Sequence, residues 1–252
     1  MDKETVREQL RDYAEMTERA IDSYLPETEC LQKNVILAAR HSLTAGGKRL
    51  RPALVMEFCR VSGGEAASAL PVACAIEMMH TFSLIHDDLP CMDNDDMRRG
   101  KLSNQKVFGE DMALLAGDAL QALAFEVMLS EESIAKAGAQ RAASAAGILG
   151  KAIGADGMVG GQVIDLLSEG KQISLETLRK MDEGKTGALI SACVQMGCVL
   201  GGGSEKELQA AREYADAIGL AFQIVDDILD IEGDTATLGK QVGSDIANDK
   251  ST

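Results

Sequence analysis

The sequence has little of what marks several common protein classes. None of its six cysteines (Cys30, Cys59, Cys74, Cys91, Cys193 and Cys198) forms a C-x-x-C pair, and most have apolar neighbours. Reduced, buried thiols are therefore expected, rather than a disulfide frame or a zinc site. With only three histidines besides, the metals that remain as candidates are those that take oxygen ligands. Basic charge is scarce: 25 Lys and Arg against 40 Asp and Glu leave a formal net charge of -15, which argues against nucleic acid or an anionic membrane as the main partner. The first residues, Met1-Asp-Lys-Glu-Thr-Val-Arg-Glu, carry charge and no apolar leader, so no secretory signal is read and a cytoplasmic protein is expected. No alternating β-branched run and no Asn-Gly hairpin signal occurs either.

Helical periodicity is present almost throughout. Val6, Leu10, Tyr13, Met16, Thr17, Ala20 and Tyr24 recur at three- and four-residue intervals and predict an amphipathic helix over 5–24, stopped by Pro26. Further helices are predicted over 35–45, 52–62, 67–89, 111–129, 132–152, 159–168, 175–183, 187–200 and 205–230, joined by segments carrying Gly, Ser, Asn or Asp. The stretch 67–89 is apolar on nearly all sides and reads as a central core helix, too short and too polar for a membrane span. The prediction is an all-α bundle forming one domain over residues 1–252.

Two aspartate clusters stand at the ends of apolar helical runs: Asp87-Asp88-Leu-Pro-Cys-Met-Asp93, followed by Asp95 and Asp96, and Asp226-Asp227-Ile-Leu-Asp230. On a continuous helix Asp87 and Asp93 would lie about 240° apart and could not share an ion. Pro90 removes the difficulty, because the residue before a proline is pushed out of the α region, and the chain is expected to bring Asp93 back toward Asp87. Asp226 and Asp230 need no such device, being i,i+4 neighbours on one face. Carboxylates so grouped suit Mg²⁺, which takes a few of them and shares its other positions with water and phosphate oxygens. Either cluster alone is equally compatible with solvated helix ends.

The few basic residues concentrate in Gly46-Gly47-Lys48-Arg49-Leu50-Arg51-Pro52, in Arg98-Arg99-Gly100-Lys101 and in Lys185-Thr186-Gly187. Each group adjoins glycine, which lets backbone approach an anion, and arginine forks match phosphate oxygens. Arg98 and Arg99 are alternatively read as neutralising Asp95 and Asp96, and Gly46-Gly47 as a helix stop.

In this order, together with His80, Gly161-Gln-Val-Ile-Asp-Leu166 and Phe222-Gln223, these motifs resemble the trans-isoprenyl diphosphate synthases from about Val35 to the chain end. Four residues separate Asp88 from Asp93 where a standard D-D-x-x-D has two. This spacing resembles the bacterial farnesyl diphosphate synthase type and its geranylgeranyl relatives. The resemblance implies an isoprenoid synthase-type bundle of antiparallel helices around a deep central cavity, usually a homodimer. It assigns the diphosphate of isopentenyl diphosphate to Lys48, Arg51, His80 and Arg99, and the allylic diphosphate to Arg98, Lys185 and Lys240. It implies two or three Mg²⁺ ions, with Mn²⁺ as a substitute, at Asp87, Asp88, Asp93 and Asp226, with Asp227 and Asp230 acting through metal-bound water. Thr186 and Gln223 match positions near the developing cation, and Gln162 and Asp165 match the cavity wall. His80 has an ordinary alternative as a hydrogen-bonded core histidine.

The reaction so implied is head-to-tail (1′-4) condensation of isopentenyl diphosphate with dimethylallyl or geranyl diphosphate. Its needs are charge stabilisation on the leaving diphosphate and a dry, apolar cavity, with no separate histidine or glutamate base. Phe82, five residues and about 7.5 Å before Asp87 on the helix, resembles the bulky residue that stops elongation at farnesyl diphosphate, and Ser83 beside it is small. Geranylgeranyl or geranyl diphosphate are the alternative products, and Phe82 as a plain core aromatic is the alternative role. A terpene cyclase needs no second diphosphate site, so Lys48 and Arg51 argue against it. A non-catalytic prenyltransferase subunit typically has a damaged acidic motif, and a helical scaffold leaves three basic groups unexplained. Relatives continue into further C-terminal helices beyond a stretch like 244–252, where this sequence stops.

Overall fold

The structure, a computed structural model, describes residues 3–232. In the last helix it does not describe the side chains of residues 220, 222, 223, 226, 227 and 229–232. Twelve α-helices follow in order among the described residues: α1 (Lys3–Ile21), α2 (Lys33–Leu43), α3 (Leu50–Val61), α4 (Leu70–Asp87), α5 (Asn104–Phe108), α6 (Glu110–Met128), α7 (Glu131–Ala137), α8 (Ala139–Ile153), α9 (Met158–Ser168), α10 (Leu175–Asp182), α11 (Ala188–Gly201) and α12 (Glu205–Glu232). The all-α expectation holds, and most helix bounds fall within two or three residues of those read from periodicity.

Three local features depart from that reading. The single helix expected over 132–152 is two, because Gly138 takes φ +87 and its N–H closes α7 on the Ile134 carbonyl at 2.8 Å. A two-residue antiparallel ladder, β1 (Met97–Arg98) with β2 (Lys101–Leu102), stands between α4 and α5. Its turn residues Arg99 and Gly100 both have positive φ, +51 and +74, the signature of a type I′ hairpin. An arginine in the left-handed region is uncommon, which is why no turn was read there. Between α10 and α11 the chain runs through a π-helical turn, Glu183–Gly187, a form frequently found at functional sites.

The core forms because α4 is apolar nearly all round. Twelve of its residues are buried, among them Ile76, Met78, Met79 and Ile85. Each such large side chain contributes about 1.5–3 kcal/mol relative to exposure. Helix α6 packs on α4, as do α3, α1 and α2, while α11 packs on α3 and α8 and carries α12 on its outer side. Residues 66–87 are, contrary to expectation, long and apolar enough to cross a membrane by length and hydropathy alone, but 72% of the most apolar window is buried within the bundle. Cys59, Cys74, Cys193 and Cys198 are buried free thiols, Cys30 is half-buried and Cys91 exposed. Burial pushes the thiols of Cys74 and Cys193 up to about 12, so they stay protonated.

Candidate active site

The first basic group folds around one buried carboxylate. Arg49, at φ +48 in front of α3, sends its guanidinium inward, where Nη1 donates to Glu77 Oε1 at 2.6 Å and Nη2 to the Leu43 carbonyl at 2.9 Å. Its Nε lies 3.5 Å from Glu18. The Arg99 Nη2 donates to the same Glu77 oxygen at 3.0 Å, which joins the hairpin tip to the loop before α3. A Cβ on Gly47 would meet the Arg99 guanidinium at 3.2–3.4 Å, so that loop lies directly against Arg99. One turn along α4 from Glu77, His80 Nε2 accepts from Arg51 Nη1 at 3.2 Å. Burial and then the charges of Arg51, Arg99, Arg98 and Arg49 hold His80 well below its ordinary value, which keeps it neutral and able to accept. Arg51 Nε and Arg99 Nη1 are buried donors with no hydrogen-bond partner among the described residues. Lys48 is exposed at the rim.

The first acidic motif folds back as Pro90 predicts. Helix α4 ends at Asp87, and the Asp93 N–H donates to the Asp87 carbonyl at 2.8 Å while Asn94 N–H reaches Leu89 at 3.1 Å. Asp88 is buried and accepts from Arg98 Nε and Nη2 at 2.9 and 2.5 Å, and Arg98 also reaches Asp95 at 2.8 Å. Burial pushes the Asp88 carboxyl up to about 6, with Asp95 and Asp87 adding to the shift and Arg98 opposing it. The expected neutralising role is therefore real for Arg98, whereas Asp96 pairs with Lys106 at 2.8 Å and not with Arg99. A small pocket of about 20 Å³ between α2, α4 and the hairpin is lined by Asp88, Arg98 and Arg99.

The third basic group sits on the π turn. Lys185 Nζ donates to Asp165 Oδ2 of α9 at 2.5 Å, bringing together one residue expected at a diphosphate and one expected in the cavity wall. The two segments meet backbone to backbone: a Cβ on Gly161 would fall 2.1 Å from the Lys185 nitrogen. Gln162, beside it on α9, has its Nε2 buried with no partner among the described residues, and Thr186 is half-buried on the turn. Helix α12 begins with a capping box in which Ser204 and Glu207 bond each other's backbone, and it packs along the π turn, where a Cβ on Gly219 would fall 3.4 Å from the Gly187 Cα. Gln223, Asp226, Asp227 and Asp230 follow on α12, the last three within its final two turns; their side chains, and Lys240 altogether, lie outside the described residues.

Phe82 is buried, 8% exposed, and stacks edge-on with His86 at 4.8 Å between ring centroids. His86 Nε2–H donates to the Leu114 carbonyl of α6 at 3.0 Å. Gly117 makes room for it, since a Cβ there would fall 2.1 Å from that nitrogen. Ser83 donates to the His80 carbonyl at 2.9 Å.

Among the described residues, no group of three carboxylates, histidines or thiols lies close enough to hold a metal ion. The donor set of the first motif is carboxylate oxygen only, which suits Mg²⁺ rather than zinc or copper, and its return turn brings the Asp93 backbone to the Asp87 carbonyl. Arg49 and Glu77 were not read as site residues from the sequence. The available signal was Glu77 itself, one acid inside an otherwise apolar core helix, which burial permits only when paired.

The polyprenyl synthetase family profile matches residues 32–252. Large subunit 1 of the chloroplastic heterodimeric geranylgeranyl pyrophosphate synthase of Arabidopsis thaliana is 50% identical over 242 residues, which are 95% of this chain and 65% of that protein. The chloroplastic geranylgeranyl pyrophosphate synthase of Capsicum annuum is 50% identical over 216 residues, covering 85% of this chain and 58% of that protein. The chain thus spans a little under two thirds of these relatives' length. Among solved structures, an FPP/GFPP synthase from Zymomonas mobilis superposes with TM-score 0.85 at 40% identity, covering 90% of this chain and 81% of that one. A geranylgeranyl pyrophosphate synthetase from Pyrococcus horikoshii superposes with TM-score 0.84 at 35% identity, covering 98% and 74%. The chain belongs to the polyprenyl synthetase family.

Proposed function

We propose that this protein joins isopentenyl diphosphate head to tail with allylic diphosphates. The observation that carries the proposal is the pair of buried, unpartnered donors, Arg51 Nε and Arg99 Nη1, next to neutral His80. In a chain of net charge -15, arginine donors buried without a protein acceptor call for an anionic ligand, because an unmade bond to a charged group costs about 1–3 kcal/mol or more. Arg51, Arg99, His80 and, from the rim, Lys48 would hold the diphosphate of the isopentenyl substrate. Arg98 and Lys185, with Lys240, would hold the allylic diphosphate.

Mg²⁺, held by Asp87, Asp88, Asp93 and the α12 aspartates, would supply charge stabilisation for the departing diphosphate. The rest falls to the chain's own groups. Arg98 and Lys185 give their donors to the leaving diphosphate as the allylic C–O bond breaks. The apolar residues around Phe82 exclude water from the allylic cation. Arg51 and Arg99 hold the second substrate so that its π bond attacks that cation, and the proton lost leaves with the diphosphate. A homodimer of such chains, as the family resemblance implies, is part of the proposal.

The products proposed differ by one elongation. The relatives that are about 50% identical carry geranylgeranyl names, which supports a twenty-carbon product. Phe82, buried five residues before Asp87, supports the second reading, termination at fifteen carbons. Chromatography of the products made from dimethylallyl and isopentenyl diphosphates with Mg²⁺ separates the two. Absence of any chain longer than five carbons defeats both.

A further inference from the structure

We infer that Glu77 is the positioning residue of the isopentenyl diphosphate site, setting Arg99 directly and the Gly46–Arg51 loop through Arg49. The inference rests on the proposed reading of the first basic group. Glu77 is 2% exposed, and one of its oxygens takes both Arg49 at 2.6 Å and Arg99 at 3.0 Å. These arginines are 50 residues apart in sequence and reach the site from different elements, one from the loop before α3 and one from the hairpin tip. Glu77 is the group that fixes their spacing.

Arg49 carries that constraint further. Its second nitrogen holds the Leu43 carbonyl at the end of α2, and its backbone sits at φ +48, a strained conformation that persists only where surroundings enforce it. Between Leu43 and Arg49 lies the whole Gly46-Gly47-Lys48 loop, pinned at both ends by one guanidinium. Its far wall is Arg99, which a Cβ on Gly47 would crowd at 3.2 Å. The Arg99 fork is divided by this arrangement: Nη2 is taken by Glu77 and Nη1 is left without a partner among the described residues. A planar guanidinium anchored through one nitrogen presents the other in a fixed direction. Arg51, two residues past Arg49, presents its own open Nε from the first turn of α3.

A purely structural carboxylate would stabilise the bundle and treat both substrates alike. A positioning carboxylate acts on one of them. The test is steady-state kinetics of the full chain with each substrate varied in turn, on wild type, Glu77→Gln and Glu77→Asp, with Arg99→Ala as the check on the site itself. The expected result for Glu77→Gln is a rise of about tenfold or more in KM for isopentenyl diphosphate, the scale of one misplaced charge-assisted hydrogen bond. The allylic KM and kcat should stay within about twofold. Glu77→Asp, which keeps the charge but withdraws it, should shift the same KM by a smaller factor. Equal rises in both KM values, or a folded variant with unchanged isopentenyl KM, would overturn the inference. If Glu77→Gln does not fold, as loss of a buried charge partner permits, Glu77→Asp decides on the same criterion. If Arg99→Ala leaves the isopentenyl KM unchanged, it is the reading of the basic group that fails, and the role of Glu77 falls with it.

Discussion

The two sets of cations in this site are held in opposite ways. Arg49 and Arg99 rest on Glu77, a carboxylate sealed in the core, and Arg51 leans on a neutral histidine; buried donors are left over. Arg98 and Lys185 are instead bonded to Asp88, Asp95 and Asp165, carboxylates in and just after the first acidic motif and on α9. Under the proposed function the first set would receive an anion without giving up a bond of its own. The second would have to exchange a carboxylate for a diphosphate, and Mg²⁺ held at Asp88 would free Arg98 for it. The contrast teaches that the same residue type performs two jobs according to the partner the fold assigns it.

The largest expected effect breaks the side that depends on exchange. Asp87→Ala or Asp226→Ala should lower turnover by at least about 10²-fold, the scale of removing one preorganised charge-stabilising group. Thermal denaturation should be little changed, since the substitution removes a carboxylate from an already acidic cluster. Near-normal turnover with Mg²⁺ present would remove the acidic motifs from the mechanism.

Next in size is the split between substrates. Arg51→Ala should raise KM for isopentenyl diphosphate by about 10- to 100-fold, matching a lost hydrogen bond to a charged group of roughly 1.5–3 kcal/mol. Lys185→Ala should impair use of the allylic substrate instead. Equal weakening toward both substrates in both variants would erase the distinction between the two regions.

Proton competition sharpens the comparison from another side. The Asp88 carboxyl, pushed up to about 6 by burial, is charged above that pH and protonated below it, and a proton must leave before a cation binds. The Mg²⁺ concentration for half-maximal activity should therefore climb as pH falls through about 6, approaching tenfold per pH unit. Binding of isopentenyl diphosphate, which the proposal assigns to Lys48, Arg51, His80 and Arg99, should follow a flatter course over the same range. A Mg²⁺ requirement independent of pH between about 5 and 7 would place the metal elsewhere.

The smallest change in rate, though a visible one in product, is expected at Phe82. Replacement by Ala should shift products toward twenty carbons or more if the ring floors the cavity. An unchanged product distribution in a folded Phe82→Ala protein would make the ring a packing residue, held by its stack on His86.

The helices were legible because they are written locally, in three- and four-residue spacing and in Ser, Gly and Pro stops. The return of Asp93 to Asp87 was legible for the same reason, through Pro90. The Arg99-Gly100 turn was not, because nothing local marks an arginine for positive φ; the ladder and the bond to Glu77 hold it there. The π turn at Lys185 packs directly against Gly161 of another helix, a contact that local spacing does not announce. Partner choice was the least legible feature. Sequence proximity offers, as the alternative to ligand binding, that Arg98 and Arg99 neutralise Asp95 and Asp96, while the fold gives Asp96 to Lys106 and sends Arg99 across to Glu77. Such pairings depend on three-dimensional distance, which spacing along the chain does not encode.

The most direct test of the account is incorporation of isotope-labelled isopentenyl diphosphate into longer prenyl diphosphates, with dimethylallyl diphosphate as the acceptor, with Mg²⁺ and with excess chelator in parallel. The account predicts labelled fifteen- or twenty-carbon product with Mg²⁺, none with chelator, and recovery when the metal is restored. Label that stays in the five-carbon substrate, under conditions where the protein is folded and Mg²⁺ is present, would contradict it.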